Sequence, residues 1–136
     1  SAGELYTDWE PDQHIIDASP APERFYTYLK FIPKEDVHVF FSAADLVCLP
    51  YAAASQSGVT AIAMHYHKPV VATDVGGLKE YFDGNPIGHI CAPRNVHALT
   101  EAIRSALSAE PVEAASIATW NARFAWAAFA QQCLSA

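Results

Sequence analysis

The sequence predicts an α/β fold in which a parallel sheet carries flanking helices. Three observations carry that prediction. Short unbroken apolar runs, Leu46–Leu49 and Pro69–Thr73, suit strands buried on both faces. Segments with helical apolar spacing separate them. Proline and glycine fall between the runs, where a chain changes direction. Strands alternating with helices join through right-handed crossovers into one parallel sheet.

The elements follow in order. After a Pro-rich turn at Ser19-Pro20-Ala21-Pro22, Arg24–Ile32 reads as a strand, with Phe25, Thr27, Leu29 and Phe31 alternating with Tyr26, Tyr28 and Lys30. Pro33 ends it. Glu35 and Asp36 place acidic groups in the first turn of a helix, where the macrodipole favours them. Val37, Phe40, Phe41 and Ala44 form one apolar stripe on that helix. The Leu46–Leu49 strand is stopped by Pro50, and from Ser57 a helix places Val59, Ile62, Ala63 and Tyr66 on one face. Pro69–Thr73 is the next strand, Asp74-Val75-Gly76-Gly77 a loop, and Leu78–Phe82 a short helix. Ile87–Ala92 is a fourth, weaker strand. Asn95 can cap a helix lined by Val96, Leu99, Ile103 and Leu107. Pro111 opens a final helical region whose Trp120, Phe124, Trp126, Phe129, Cys133 and Leu134 imply docking on the rest of the domain.

Composition narrows the function. The 136 residues are one domain's worth, 51% hydrophobic and 17% charged, which excludes a disordered chain. No apolar run reaches the roughly 18 residues that span a bilayer. Nor does Ser1-Ala2-Gly3-Glu4 begin a signal peptide. A net charge of −7, with eight scattered Lys and Arg residues, argues against nucleic acid or an anionic membrane as the main partner. Cys48, Cys91 and Cys133 each lie in apolar surroundings and read as buried free thiols in a reducing compartment.

In an open parallel sheet, ligands bind beyond the C-terminal strand ends. The loops to weigh are therefore Ile32-Pro33, Pro50–Gly58, Asp74–Gly77 and Ala92–Asn95. Ala54-Ser55-Gln56-Ser57-Gly58 leads from a strand into a helix N-terminus, whose free N–H groups make a natural anion site. Small residues admit a diphosphate to the backbone, and the Ser55 and Ser57 hydroxyls add donors. Capping by Ser55 or Ser57 is the plain structural alternative, and one serine can cap while its neighbours bind. Gly76 and Gly77 emerge at the same sheet edge, free to adopt positive φ or to serve an ordinary turn.

His65 and His67 cannot share a metal ion on a helix, because i and i+2 face different ways. His67 sits just past that helix, where left-handed backbone is needed and His tolerates it better than most. Asp74 and Glu80 are carboxylates without a paired nucleophile, so surface or capping roles are their default. No catalytic residue is assigned.

The run Ser42-Ala43-Ala44-Asp45-Leu46-Val47-Cys48-Leu49-Pro50-Tyr51 resembles the helix-end and strand segment of retaining, family 4-type GT-B glycosyltransferases, also called group 1. Ser55-Gln56-Ser57-Gly58-Val59 and Lys68–Leu78 resemble a bacterial subgroup of that family, and Arg123-Phe124-Ala125-Trp126 is similar to its C-terminal helix signature. The resemblance implies that residues 1–136 are one Rossmann-like donor-binding domain, the C-terminal half of a GT-B fold. It would hold a nucleotide-diphosphate sugar against an acceptor on a separate N-terminal domain, without a cofactor or required metal. Ser55, Gln56, Ser57 and Gly58 would meet the donor phosphates and sugar, Gly76 and Gly77 would lie beside them, and Ile32 and Pro33 would edge the nucleobase. The expected location is cytoplasmic, peripheral at the inner face of the membrane in a full-length protein.

Two departures qualify the resemblance. Many relatives carry two glutamates seven residues apart, touching the donor sugar and the ribose. Here Ala54 or Ser55, and then Ile62, stand there. By the same resemblance the chain opens at the end of the domain's second strand, Gly3-Glu4-Leu5-Tyr6, lacking its first strands. The strands on either side would face a gap that a homodimer or partner strand could fill. The isolated chain is then expected to be inactive. The alternatives are a degenerate, non-catalytic GT-B-like domain acting as an oligomerising or interaction module, and a sugar-nucleotide epimerase of the same architecture.

Overall fold

A computed structural model describes residues 2–3, 8–55, 57–82, 84–110 and 112–122, of which Glu80 only in its backbone. The chain forms two compact units, Ser1–Ser42 and Ala43–Ala136.

In the first unit, helix α1 (Glu10–Asp17) was not anticipated from the sequence. Its signals are local: Pro11 in the first turn, Glu10 and Asp12 beside it, and the Asp8 carboxylate accepting from the Glu10 N–H at 3.1 Å. The Arg24–Ile32 strand is corrected. Pro22–Arg24 is a 3₁₀ turn, and the following chain makes one isolated parallel bridge, Tyr28 to Ala2. Alternation marks a segment that can be extended, but a strand also needs a neighbour along its length. Helix α2 (Val37–Ala43) follows a turn in which Asp36 N–H donates to the Pro33 carbonyl at 2.9 Å. Phe40 of its apolar stripe packs on Tyr28, ring centres 5.3 Å apart.

The second unit contains a three-stranded parallel sheet in the order β1 (Val47–Leu49), β2 (Val70–Thr73), β3 (Gly88–Cys91). Central β2 is buried along its whole length, as its unbroken run predicts. β1 departs from that prediction: Leu49 is buried but Cys48 is exposed, because among the described residues β1 pairs with β2 alone. Cys91, opposite Thr73, is buried as expected. Cys133 and the strand end at Glu4-Leu5-Tyr6 lie outside the described residues.

Among the described residues this unit also has helices α3 (Gly58–His65), α4 (Leu78–Phe82), α5 (Val96–Ser108) and α6 (Ala114–Ala122). Along β3, Cys91 joins the cluster under α5, whereas Gly88 meets the Phe82 ring of α4, so these helices take opposite faces. Asn95 caps α5 as predicted, accepting from the Ala98 N–H at 3.0 Å. The helix buries only part of the face its large residues suggest. Leu99, Ala102, Ile103 and Ala106 pack inward, while Val96 and Leu107 are exposed. The alanines permit close approach to the sheet, which a scan for large apolar residues overlooks. Helix α3 is likewise turned in part, burying Thr60, Ala63 and Met64 where Val59, Ile62, Ala63 and Tyr66 were expected. It is apolar nearly all round, so periodicity alone could not orient it.

The end of α3 behaves as predicted. His67 has φ 54°. Its N–H donates to the Met64 carbonyl at 3.1 Å, and Lys68 N–H to the Ala63 carbonyl at 2.9 Å, a Schellman closure with histidine where glycine is usual. Left-handed backbone costs an L-residue about 1–2 kcal/mol. His67→Gly is therefore expected to stabilise the chain by about 0.5–1 kcal/mol, after the entropy glycine adds to the unfolded chain. Equilibrium denaturation of the two proteins checks this.

Candidate functional site: two loops stitched at one sheet edge

The site grows from the way β1 and β2 end. Pro50 has no N–H, so it stops the β1 ladder. Tyr51 N–H turns back to the Leu49 carbonyl at 2.9 Å, and the chain runs through small residues to Ser57. β2 ends in a matching tight turn, Val75 N–H to the Thr73 carbonyl at 2.9 Å. Gly76 then takes φ 54°, and a Cβ built there would lie 1.8 Å from the Ala54 carbonyl oxygen. Only glycine fits that approach in that conformation. Gly77 N–H donates to the Ser55 carbonyl at 3.1 Å. The two loops singled out in the sequence thus touch, backbone to backbone.

Ser57 is the N-cap residue of α3, but its side chain makes no capping bond. Its hydroxyl pairs with the Tyr51 phenol at 3.2 Å. The capping alternative therefore fails for the Ser57 side chain. Gly58 opens the helix with nothing within 4 Å of where its Cβ would be. Ser55 is exposed on the loop, and Gln56 lies outside the described residues. Ile32 and Pro33 belong to the first unit. Ile32 is half-buried, and the Pro33 carbonyl starts the turn into α2.

Charge at this edge comes mostly from the backbone. α3 and α5 both begin on the side where the parallel strands end, presenting positive dipole ends there. Lys79 pairs with Asp74 at 3.5 Å, both partly exposed, so the contact adds little stability. Arg94, in the turn after β3, also has φ 54°. Loss of hydration raises the Cys91 thiol above its ordinary pKa. Cys48 is raised first by desolvation and then by Cys91, so both sulfurs are held as thiols at neutral pH. Among the described residues no cluster of three or more His, Cys, Asp or Glu side chains could hold a metal ion.

A cavity of about 440 Å³ opens at the opposite edge, against Asp45, Pro69, Ile87 and Glu110. Size does not make it the better anion site. Strands begin there, α3 and α5 end there with negative dipole ends, and Asp45 and Glu110 add negative charge.

Sequence reasoning missed two residues that hold this loop. Thr73 Oγ donates to the Tyr51 carbonyl at 2.6 Å, and the Tyr51 phenol reaches Ser57. The available signals were a hydroxyl closing the otherwise aliphatic β2 and a tyrosine directly after the proline that ends β1.

Residues 8–109 match the family model described as "Glycosyl transferases group 1". The fold is similar to that of sucrose-phosphate synthase from Thermosynechococcus elongatus, with a TM-score of 0.77 at 22% identity. That alignment covers 99% of this chain and 36% of the synthase chain. At that identity the likeness speaks for the fold, a Rossmann-like part of a GT-B architecture. None of the curated protein sequences matches the chain. Among the described residues no helix is long and apolar enough to cross a membrane.

Proposed function

The chain belongs to the group 1 glycosyl transferases, and on that premise we propose that its second unit binds the nucleotide-diphosphate sugar of a retaining sugar transfer. One observation carries the reading: the Gly76-Gly77 turn is seated on Ala54 and Ser55, directly before the α3 N-terminus. A diphosphate at that edge meets helix N–H groups, the exposed loop backbone and two serines, with no Cβ at Gly58 to hold it off. As the sugar leaves, negative charge develops on the diphosphate, and fixed N–H dipoles stabilise it without reorganising. The acceptor is held by a separate domain. With Ile62 and the Ala54-Ser55 pair in place of the two glutamates of relatives, sugar and ribose are held by other contacts.

The test is a thermal-unfolding panel with UDP, GDP, ADP and their sugar conjugates, at several protein concentrations. The expected result is a rise with one nucleotide class, worth about 2.7 kcal/mol at a hundredfold excess over Kd. Gly58→Leu, placed in open space, should fold normally and lose that rise. A second reading rests on the exposed Cys48 of β1, whose edge, without a second strand among the described residues, suits another chain's strand. It requires a midpoint that climbs with protein concentration and ignores every nucleotide.

A further inference from the structure

The β1–β2 ladder closes at Leu49 opposite Ala72, while β2 continues one residue further, to Thr73 opposite Cys91. Beyond Leu49 the loop leaves the sheet, and its backbone turns on itself at Tyr51. A side chain takes over where the ladder stops. Thr73, 3% exposed, donates its single hydroxyl proton to the Tyr51 carbonyl at 2.6 Å, with the Leu49 carbonyl further off at 3.4 Å. Tyr51 passes the restraint on, because its phenol pairs with Ser57 Oγ at the start of α3. At the loop's centre the Ser55 carbonyl receives the Gly77 N–H. The loop is held at its start, middle and end, and two of those three ties run through Tyr51.

We propose that Thr73 and Tyr51 are positioning residues of this loop. Thr73 pins its first peptide to the buried central strand, Tyr51 carries the restraint to Ser57, and together they set the loop's affinity for a nucleotide diphosphate. This rests on the donor-binding reading above. The hydrogen-bonded hydroxyl is what matters, so Thr73→Val, equal in shape, breaks the brace, and Thr73→Ser keeps it. Tyr51→Phe removes only the outer link.

Amide hydrogen exchange on the full 136-residue chain tests the brace, and titration with UDP, GDP and ADP on the same samples tests its consequence. The Gly77 amide reports the loop contact, and Val71 in β2 reports overall stability. Thr73→Val is expected to speed Gly77 exchange about tenfold relative to Val71 and weaken the preferred nucleotide about tenfold. Thr73→Ser should restore both to within about threefold, and Tyr51→Phe should give about a threefold loss in each. Equal acceleration at Gly77 and Val71, or no rescue by serine, would reduce Thr73 to general stability and overturn the proposal. Unchanged nucleotide affinity in Thr73→Val overturns the positioning role alone. Failure of the unaltered chain to bind any of the nucleotides overturns the donor reading and takes the positioning role with it.

Discussion

Gly76→Ala is expected to lower stability by on the order of 3 kcal/mol, or roughly 10 °C in melting temperature. Two costs combine. The backbone at Gly76 is left-handed, φ 54°, which costs an alanine about 1–2 kcal/mol by itself. The added methyl would also stand 1.8 Å from the Ala54 carbonyl oxygen, and that atom belongs to backbone, which cannot rotate aside. The loops must separate, and the Gly77 to Ser55 hydrogen bond goes with them. Gly58→Ala is the matched control. With open space around its Cβ and no positive φ, it should be neutral or slightly stabilising. Thermal unfolding of both variants decides the matter, and a Gly76→Ala midpoint within about 2 °C of the parent would show that the loops are not seated as described.

Trp120→Ala carries the other large effect, an expected loss of about 3–5 kcal/mol. Trp120 is 6% exposed on α6 and packs with Met64 of α3, Ile117 of its own helix, and Ile87 at the threshold of β3. Its ring also lies 3.5 Å from where a Cβ on Gly84 would stand. Removing it opens a cavity between two helices and the sheet, too enclosed to collapse without moving backbone. Leu107→Ala makes the comparison, since Leu107 is equally apolar but 58% exposed on α5. That change should fall within about 0.5 kcal/mol. Denaturant titration of both separates the outcomes. Similar losses in the two would mean that α6 is not part of the core.

The elements readable from sequence were those in which one physical term dominates. β2 was legible because four consecutive residues are buried and all must be tolerated there, and α4 because Gly-Gly and an apolar pair bound it closely. Asn95 and His67 were legible as helix ends because cap chemistry is local. Where burial depends on a partner, the sequence misled. Arg24–Ile32 alternates like a strand but forms a single bridge, and β1 is apolar yet exposes Cys48 at the edge. The α3 and α5 faces were only partly right: Ala63, Leu99 and Ile103 pack as expected, but Thr60, Ala102 and Ala106 share the packing, and small or polar residues carry little weight in an apolar scan. At the site, topology sufficed to bring Ser55, Gly76 and Gly77 to one edge. That Ser57 would pair with Tyr51, and Thr73 reach the Tyr51 carbonyl, depends on angles no spacing encodes. Gln56 and the Arg123-Phe124-Ala125-Trp126 signature lie outside the described residues.

The central claim is that a nucleotide diphosphate sits on the two stitched loops, and amide chemical shifts during a UDP, GDP and ADP titration test it most directly. One nucleotide is expected to move the amides of Gly58, Gly76 and Gly77 together, saturably, while Ile87 and Val112 at the opposite edge stay still. No saturable shift with any nucleotide, or shifts confined to the cavity beside Asp45 and Pro69, would contradict the account.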